Sequence, residues 1–139
     1  MTTTGHEALP DWTLAEVDAE KMKVLALLLA DPNPLHFDPA VAPRLGVARR
    51  PVNQGPSNMA MLVNMLRAAF PDGRISRLRV QLRGSVVAGQ SVRARGRVVG
   101  RERIGDAEQV RCEITLEVDG GAVVLAGDAD VVLQVADAD

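Results

Sequence analysis

The hydrophobic period of this chain changes once, at Pro71-Asp72-Gly73, and that change restricts the folds open to it. Before it, apolar residues recur at helical spacing; after it, they alternate with polar ones to the end of the chain. Leu78, Val80 and Leu82 alternate with Arg77, Arg79, Gln81 and Arg83, and Val92, Ala94, Gly96 and Val98 alternate with Arg93, Arg95 and Arg97. Cys112, Ile114, Leu116 and Val118 do the same against Arg111, Glu113, Thr115 and Glu117, and Asp119-Gly120-Gly121 turns into a last strand over residues 122–135. Each stretch reads as a strand with one wet face, and the second half as an antiparallel meander with Gly100, Gly105, Gly120 and Gly121 at hairpin turns. A further short strand is expected within residues 12–17.

Two helices precede the change. Met22, Leu25, Ala26 and Leu29 recur at helical spacing behind Asp18 and Glu20, whose charges suit the positive end of a helix dipole, and this helix should stop near Ala30. Pro32 and Pro34 then force residues 31–39 into an extended, turning loop. A second loop, residues 49–54, leads to Gly55, to Pro56 at the first helical position, and to a helix ending at Phe70. Its stripe of Met59, Leu62, Val63, Leu66 and Phe70 is widened by Ala60, Met61, Met65 and Ala69, which predicts a helix wrapped rather than merely covered. One buried helix and several half-wet strands make an α+β domain in which a curled sheet encloses the helix.

Composition limits the function classes. With 139 residues, 47% hydrophobic, 24% charged and a net charge of −2, the chain fits one domain over residues 1–139 with frayed ends at 1–5 and 136–139. A single cysteine, Cys112, excludes a disulfide framework, and its place on an apolar strand face makes it a buried small hydrophobe rather than a nucleophile. The longest aliphatic run, residues 24–30, is too short to span a membrane, and no basic leader precedes it; the cytoplasm is the expected location, with no membrane partner. Three aromatics and no basic excess argue against a nucleic-acid partner.

Of the two histidines, His6 lies in the first few residues, whereas His36 sits in Asp31-Pro32-Asn33-Pro34-Leu35-His36-Phe37-Asp38, where two prolines stiffen a loop that also carries carboxylates. A carboxylate and an imidazole so placed can hold one water, one group taking its proton while the other serves the reacting carbon. On spacing alone the plainer reading is that Asp31 caps a turn and His36 is a half-buried loop residue. A metal site on Asp31, His36 and Asp38 is short of ligands, and no metal is expected. Ser57 lacks a second partner for a triad. Gly55 opens the apolar helix, whose free N–H groups and dipole favour an oxyanion on a thioester; an ordinary cap followed by Pro56 is the alternative.

The run from Asp31 to Asp38 resembles the Asp-x-Asn-Pro-(Ile/Leu)-His-x-Asp signature of MaoC-like, (R)-specific enoyl-CoA hydratases, and the resemblance continues through Arg50-Pro51-Val52, Gln54-Gly55 and the strand pattern to Val135. It implies a single hot-dog domain, a curled antiparallel sheet around a central helix. It also implies an Asp31–His36 catalytic dyad, with the Gly55 N–H as oxyanion donor. Asn33, Gln54 and Ser57 are the expected substrate-contacting residues. Where the family commonly reads Val-x-His-Gly-Met, this chain reads Val52-Asn53-Gln54-Gly55-Pro56; Gln54 keeps a donor and an acceptor but cannot titrate. The implied reaction is reversible hydration of a trans-2-enoyl-CoA to the (R)-3-hydroxyacyl-CoA, with the CoA thioester as substrate and no cofactor. The implied assembly is a homodimer or a heteromer with a second hot-dog chain. Arg77, Arg79, Arg83, Arg93, Arg95 and Arg97, or Arg44, Arg49 and Arg50 near the loops, are candidates for CoA phosphates, a solvated sheet face being the alternative for the first six. The alternative functions are a hot-dog thioesterase and a non-catalytic subunit.

Overall fold

The computed structural model describes residues 6–135, so the expected frayed ends lie outside the described residues. Nine elements follow in chain order: β1 (Glu7–Ala8), β2 (Trp12–Leu14), α1 (Ala19–Leu28), α2 (Val41–Arg44), α3 (Gly55–Ala69), β3 (Arg74–Leu82), β4 (Val92–Ile104), β5 (Ala107–Val118) and β6 (Ala122–Gln134). A 3₁₀ turn at Pro34–His36 lies between α1 and α2. The strands form one antiparallel sheet in the order β1-β4-β5-β6-β3, with β2 also paired to β4. This sheet curls against α3, the hot-dog arrangement.

Three expectations change. The meander holds for β4, β5 and β6, but β3 lies beside β6 instead of β4. Alternation specifies which face of a strand is dry and carries no information about its neighbour. Gly100 lies within β4, directly after a register shift between Val98 and Gly100, where an extra residue bends the strand as a β-bulge; Gly105 and Gly120–Gly121 do occupy turns. The third change concerns α3. Its inner face is Asn58, Met61, Leu62, Met65 and Leu66, while Met59 and Val63 are half-buried and Ala60 is exposed. Within one chain, therefore, the curled sheet encloses the inner side of α3 and leaves its outer side open.

The core lies between α3 and the dry face of the sheet: Val92, Ala94 and Val98 of β4, Val110, Cys112, Ile114, Leu116 and Val118 of β5, and Val124, Leu125, Ala129 and Val131 of β6. On β4 and β5 the residues from Val92 to Val98 and from Cys112 to Val118 are the alternating positions read from the sequence. On β3 the dry face is only half covered, and Leu82 is 63% exposed. No described helix is long and apolar enough to cross a membrane.

Candidate active site

Asp31 owes its position to the way α1 ends. Asp18 caps the start of α1, its side chain accepting the Glu20 N–H at 2.8 Å. At the other end Leu29 is the C-cap and Ala30 takes a left-handed backbone, φ +50°. The Ala30 N–H donates to Leu27 O at 3.2 Å and the Asp31 N–H to Ala26 O at 2.9 Å, the paired bonds of a Schellman motif. Asp31 is thus hydrogen-bonded back to α1, and Pro32 stops any further helix.

The loop then folds on its own polar side chains. Asp31 Oδ1 accepts the Asn33 N–H and Asn33 Oδ1 accepts the Leu35 N–H, each at 3.1 Å, and the second bond caps the 3₁₀ turn that carries His36. The other carboxylate oxygen, Asp31 Oδ2, lies 3.2 Å from His36 Nε2. The second loop clamps this turn from outside: the Val52 N–H donates to Leu35 O at 3.0 Å, and His36 Nδ1 lies 2.7 Å from Val52 O. A carbonyl only accepts, so Nδ1 carries a proton and donates it to Val52, and Nε2 is the ring nitrogen on the Asp31 side. His36 is mostly shielded, its side chain 12% exposed, while the Asp31 side chain is 36% exposed.

Val52 is held in turn by the segment that connects β3 to β4. It pairs with Val87, the Asn53 N–H donates to Val86 O at 2.7 Å, and the Ala88 N–H donates to Pro51 O at 3.0 Å. Two residues further on, Gln54 precedes α3 but does not cap it with its side chain. Gln54 is wholly buried; its Nε2 donates to the Met22 carbonyl of α1 at 2.8 Å, and its Oε1 has no partner among the described residues. The side chain expected to touch substrate is thus seated between α3 and α1, with no exposed surface in this chain.

Because Gln54 points elsewhere and Pro56 has no N–H, the first turn of α3 keeps free donors. Asn58 N–H is taken by Gln54 O at 3.1 Å, whereas the Gly55 and Ser57 N–H groups have no partner among the described residues. A Cβ at Gly55 would meet open space, and Gly55 and Ser57 are both half-buried, so this helix start is approachable. Asn33 is exposed, and its side-chain oxygen is committed to the 3₁₀ cap. One pair was missed in the sequence: Asn53 and Asn58, 5% and 3% exposed, joined by Asn53 Nδ2 donating to Asn58 Oδ1 at 2.7 Å. Two asparagines five residues apart around a helix start were the available signal.

Among the arginines, Arg77 pairs with Asp128 and Asp130, Arg93 with Asp11, Arg95 with Asp11 and Glu117, and Arg97 with Glu113, all on the wet face of the sheet. Arg79 and Arg83 make no such pair among the described residues, nor do Arg44, Arg49 and Arg50 near the clamped loops. Among the described residues no group of three or more His, Cys, Asp or Glu side chains is placed to hold a metal ion.

A family model described as a MaoC like domain matches residues 4–121. No curated protein matches the chain in sequence at the level taken as significant. Among solved structures, the chain is similar to the (R)-hydratase from A. caviae involved in PHA biosynthesis, at 22% identity over 94% of this chain and 96% of that one, TM-score 0.78. It is also similar to the ChsH1–ChsH2 complex from Mycobacterium tuberculosis (17% identity, 96% and 99% covered, TM-score 0.74). A third is the C-terminally truncated HadBC (3R-hydroxyacyl-ACP dehydratase) complex from Mycobacterium tuberculosis (17%, 94% and 98%, TM-score 0.73). At such identities the likeness establishes the fold, and the match over most of the sequence establishes the rest: this chain belongs to the MaoC-like domain family.

Proposed function

We propose that this chain catalyses the reversible hydration of a trans-2-enoyl thioester, carried on CoA, to the (R)-3-hydroxyacyl thioester. The observation that carries the reading is the fixed pair: His36 Nε2 at 3.2 Å from Asp31 Oδ2, with the opposite ring nitrogen bound to Val52 O. A water about 2.8 Å from each of these two atoms bridges them from the side, offering one hydrogen to the carboxylate and one to the imidazole. The pair then shares the acid and base work. One member takes a proton from the water as its oxygen bonds to the β-carbon, and the pair then returns that proton to the α-carbon. Between these events negative charge collects on the thioester oxygen, and the free Gly55 N–H at the positive end of α3 is the donor suited to it. The elements of water are added with no change in oxidation state, so the reaction needs neither metal nor redox cofactor.

The names of the similar structures, an (R)-hydratase and a 3R-hydroxyacyl-ACP dehydratase, support the reaction class and the product's hand. Arg44, Arg49 and Arg50, unpaired near the clamped loops, suit an anionic carrier such as CoA. Two of the similar structures are complexes of different chains, which supports a second hot-dog chain, identical or related, as partner. A single reduced thiol fits the cytoplasm. In this reading residues 1–139 act as one domain.

The test is turnover of enoyl-CoA esters, followed by loss of enoyl absorbance and by the stereochemistry of the product. Asp31→Asn and His36→Ala should each lower kcat by about two to four orders of magnitude in a folded protein. Near-native turnover in either variant overturns the dyad. Release of free thiol from a saturated acyl-CoA, which a hydratase leaves intact, would make the protein a thioesterase instead.

A further inference from the structure

An amphipathic helix normally turns its apolar residues inward, and α1 does not. Only Met22 of this helix is buried; Val24 is 55% exposed, Leu28 75% and Leu27 83%, and Leu29 just beyond is 43% exposed. Apolar side chains gathered at a surface mark a place where something apolar binds. Part of this surface is concave. Ala26, Leu27 and Ala30 on one side and Pro32 and Phe37 on the other form an open groove of about 610 Å³, and Asp31 lies in its wall. The groove's cation, Lys23, is taken by Glu20 at 2.8 Å, and its other charged side chain is Asp31, which also lies beside His36.

We infer that this groove holds the acyl tail of the substrate, and that the enzyme therefore prefers thioesters with long apolar chains over short ones. The inference rests on the hydratase reading above and adds the chain class to it. Three observations favour an acyl chain over a protein partner. The groove is continuous with the dyad through Asp31, so a tail lying along it brings the first carbons of the chain to the carboxylate. Its size falls within the span of about 300–1,000 Å³ usual for small-molecule sites. A protein packed flat across it would close off the carboxylate that the reaction needs.

The experiment compares the full chain with Leu27→Asp, a change at an 83% exposed position that the core does not feel. Binding of the saturated, unreactive lauroyl-CoA and butyryl-CoA is measured by calorimetry. Turnover of trans-2-dodecenoyl-CoA and crotonyl-CoA is measured in parallel, with molecular mass by light scattering. The wild-type chain should bind lauroyl-CoA more tightly than butyryl-CoA, because each methylene removed from water adds to affinity. Leu27→Asp should reduce that preference, and the long-to-short ratio of kcat/KM, by about tenfold or more. Phe37→Ser, on the opposite wall, should act in the same direction. If no enoyl ester is turned over but the lauroyl preference exists and Leu27→Asp removes it, the groove stands and the hydratase reading falls. A wild-type protein without chain-length preference overturns the groove. So does a preference that survives Leu27→Asp, and so does a Leu27→Asp protein that loses its partner chain while keeping the preference, which would make this face an interface.

Discussion

Ala30 holds the left-handed backbone that ends α1, at a position where glycine is the usual residue. An alanine there costs roughly 1–2 kcal/mol, and the strain sits directly before the candidate catalytic carboxylate. Ala30→Gly should relieve it, against the greater freedom glycine has when unfolded, for a net gain of about 1 kcal/mol or less, read as a higher urea midpoint at unchanged slope. The stop near Ala30 was legible from Pro32 and Pro34, but the left-handed backbone that makes it was not, because an alanine rarely adopts that conformation. Cys112, by contrast, was legible from alternation alone. Burial on the dry face of β5 pushes its thiol from 9.0 up to about 11, overriding the nearby Arg101 charge. The folded state therefore binds this proton more tightly than the unfolded state. Stability from this group is constant below pH 9 and falls as pH rises from 9 toward 11, where unfolding releases a proton. A maleimide or disulfide reagent at pH 8 should leave native Cys112 unlabelled and label it promptly once the chain is unfolded. Asp130 shows the opposite limit of legibility. It alternates as a wet-face residue, yet it is 5% exposed because Arg77 and Arg111 close over it at 3.0 and 3.4 Å.

At the scale of elements, period and punctuation located α1, α3 and the four long strands, and missed what has no period. β1 has two residues and α2 has four, too few for either repeat to register. The candidate site was legible as far as its loop, since prolines and Asx side chains make turns by known local bonds. Gln54 and the Asn53–Asn58 pair were not, because polar residues at such spacing read as exposed until tertiary packing buries them. The β3–β6 pairing, also invisible beforehand, depends on one glycine. Val80 lies opposite Gly127, and a Cβ at Gly127 would fall on the backbone carbonyl of Arg79. Backbone cannot step aside as a side-chain end can, so Gly127→Ala should cost about 2–3 kcal/mol, measured by denaturant titration, with β3 the first strand to lose amide protection.

For the whole molecule, a second incompletely covered surface, besides the face of α1, lies at β3. This nine-residue strand closes one edge of the sheet, its Leu82 is open, and the outer side of α3 is uncovered. The opposite edge carries only the short strands β1 and β2, which offer little to a partner. A second hot-dog chain placed along β3 would extend the sheet and cover both features. Light scattering at micromolar concentration should give twice the mass of one chain, and Leu82→Asp should shift the population toward monomer; a wild-type monomer would overturn this assembly. Within the chain, Val52 gives its N–H to Leu35 in the middle of the 3₁₀ turn and its carbonyl to the imidazole, and only two residues separate it from the first residue of α3. The loop proposed to handle protons and the helix start proposed to accept charge are therefore parts of one mechanical unit. A residue inserted between Val52 and Gly55 would put the two halves of the chemistry out of alignment at once.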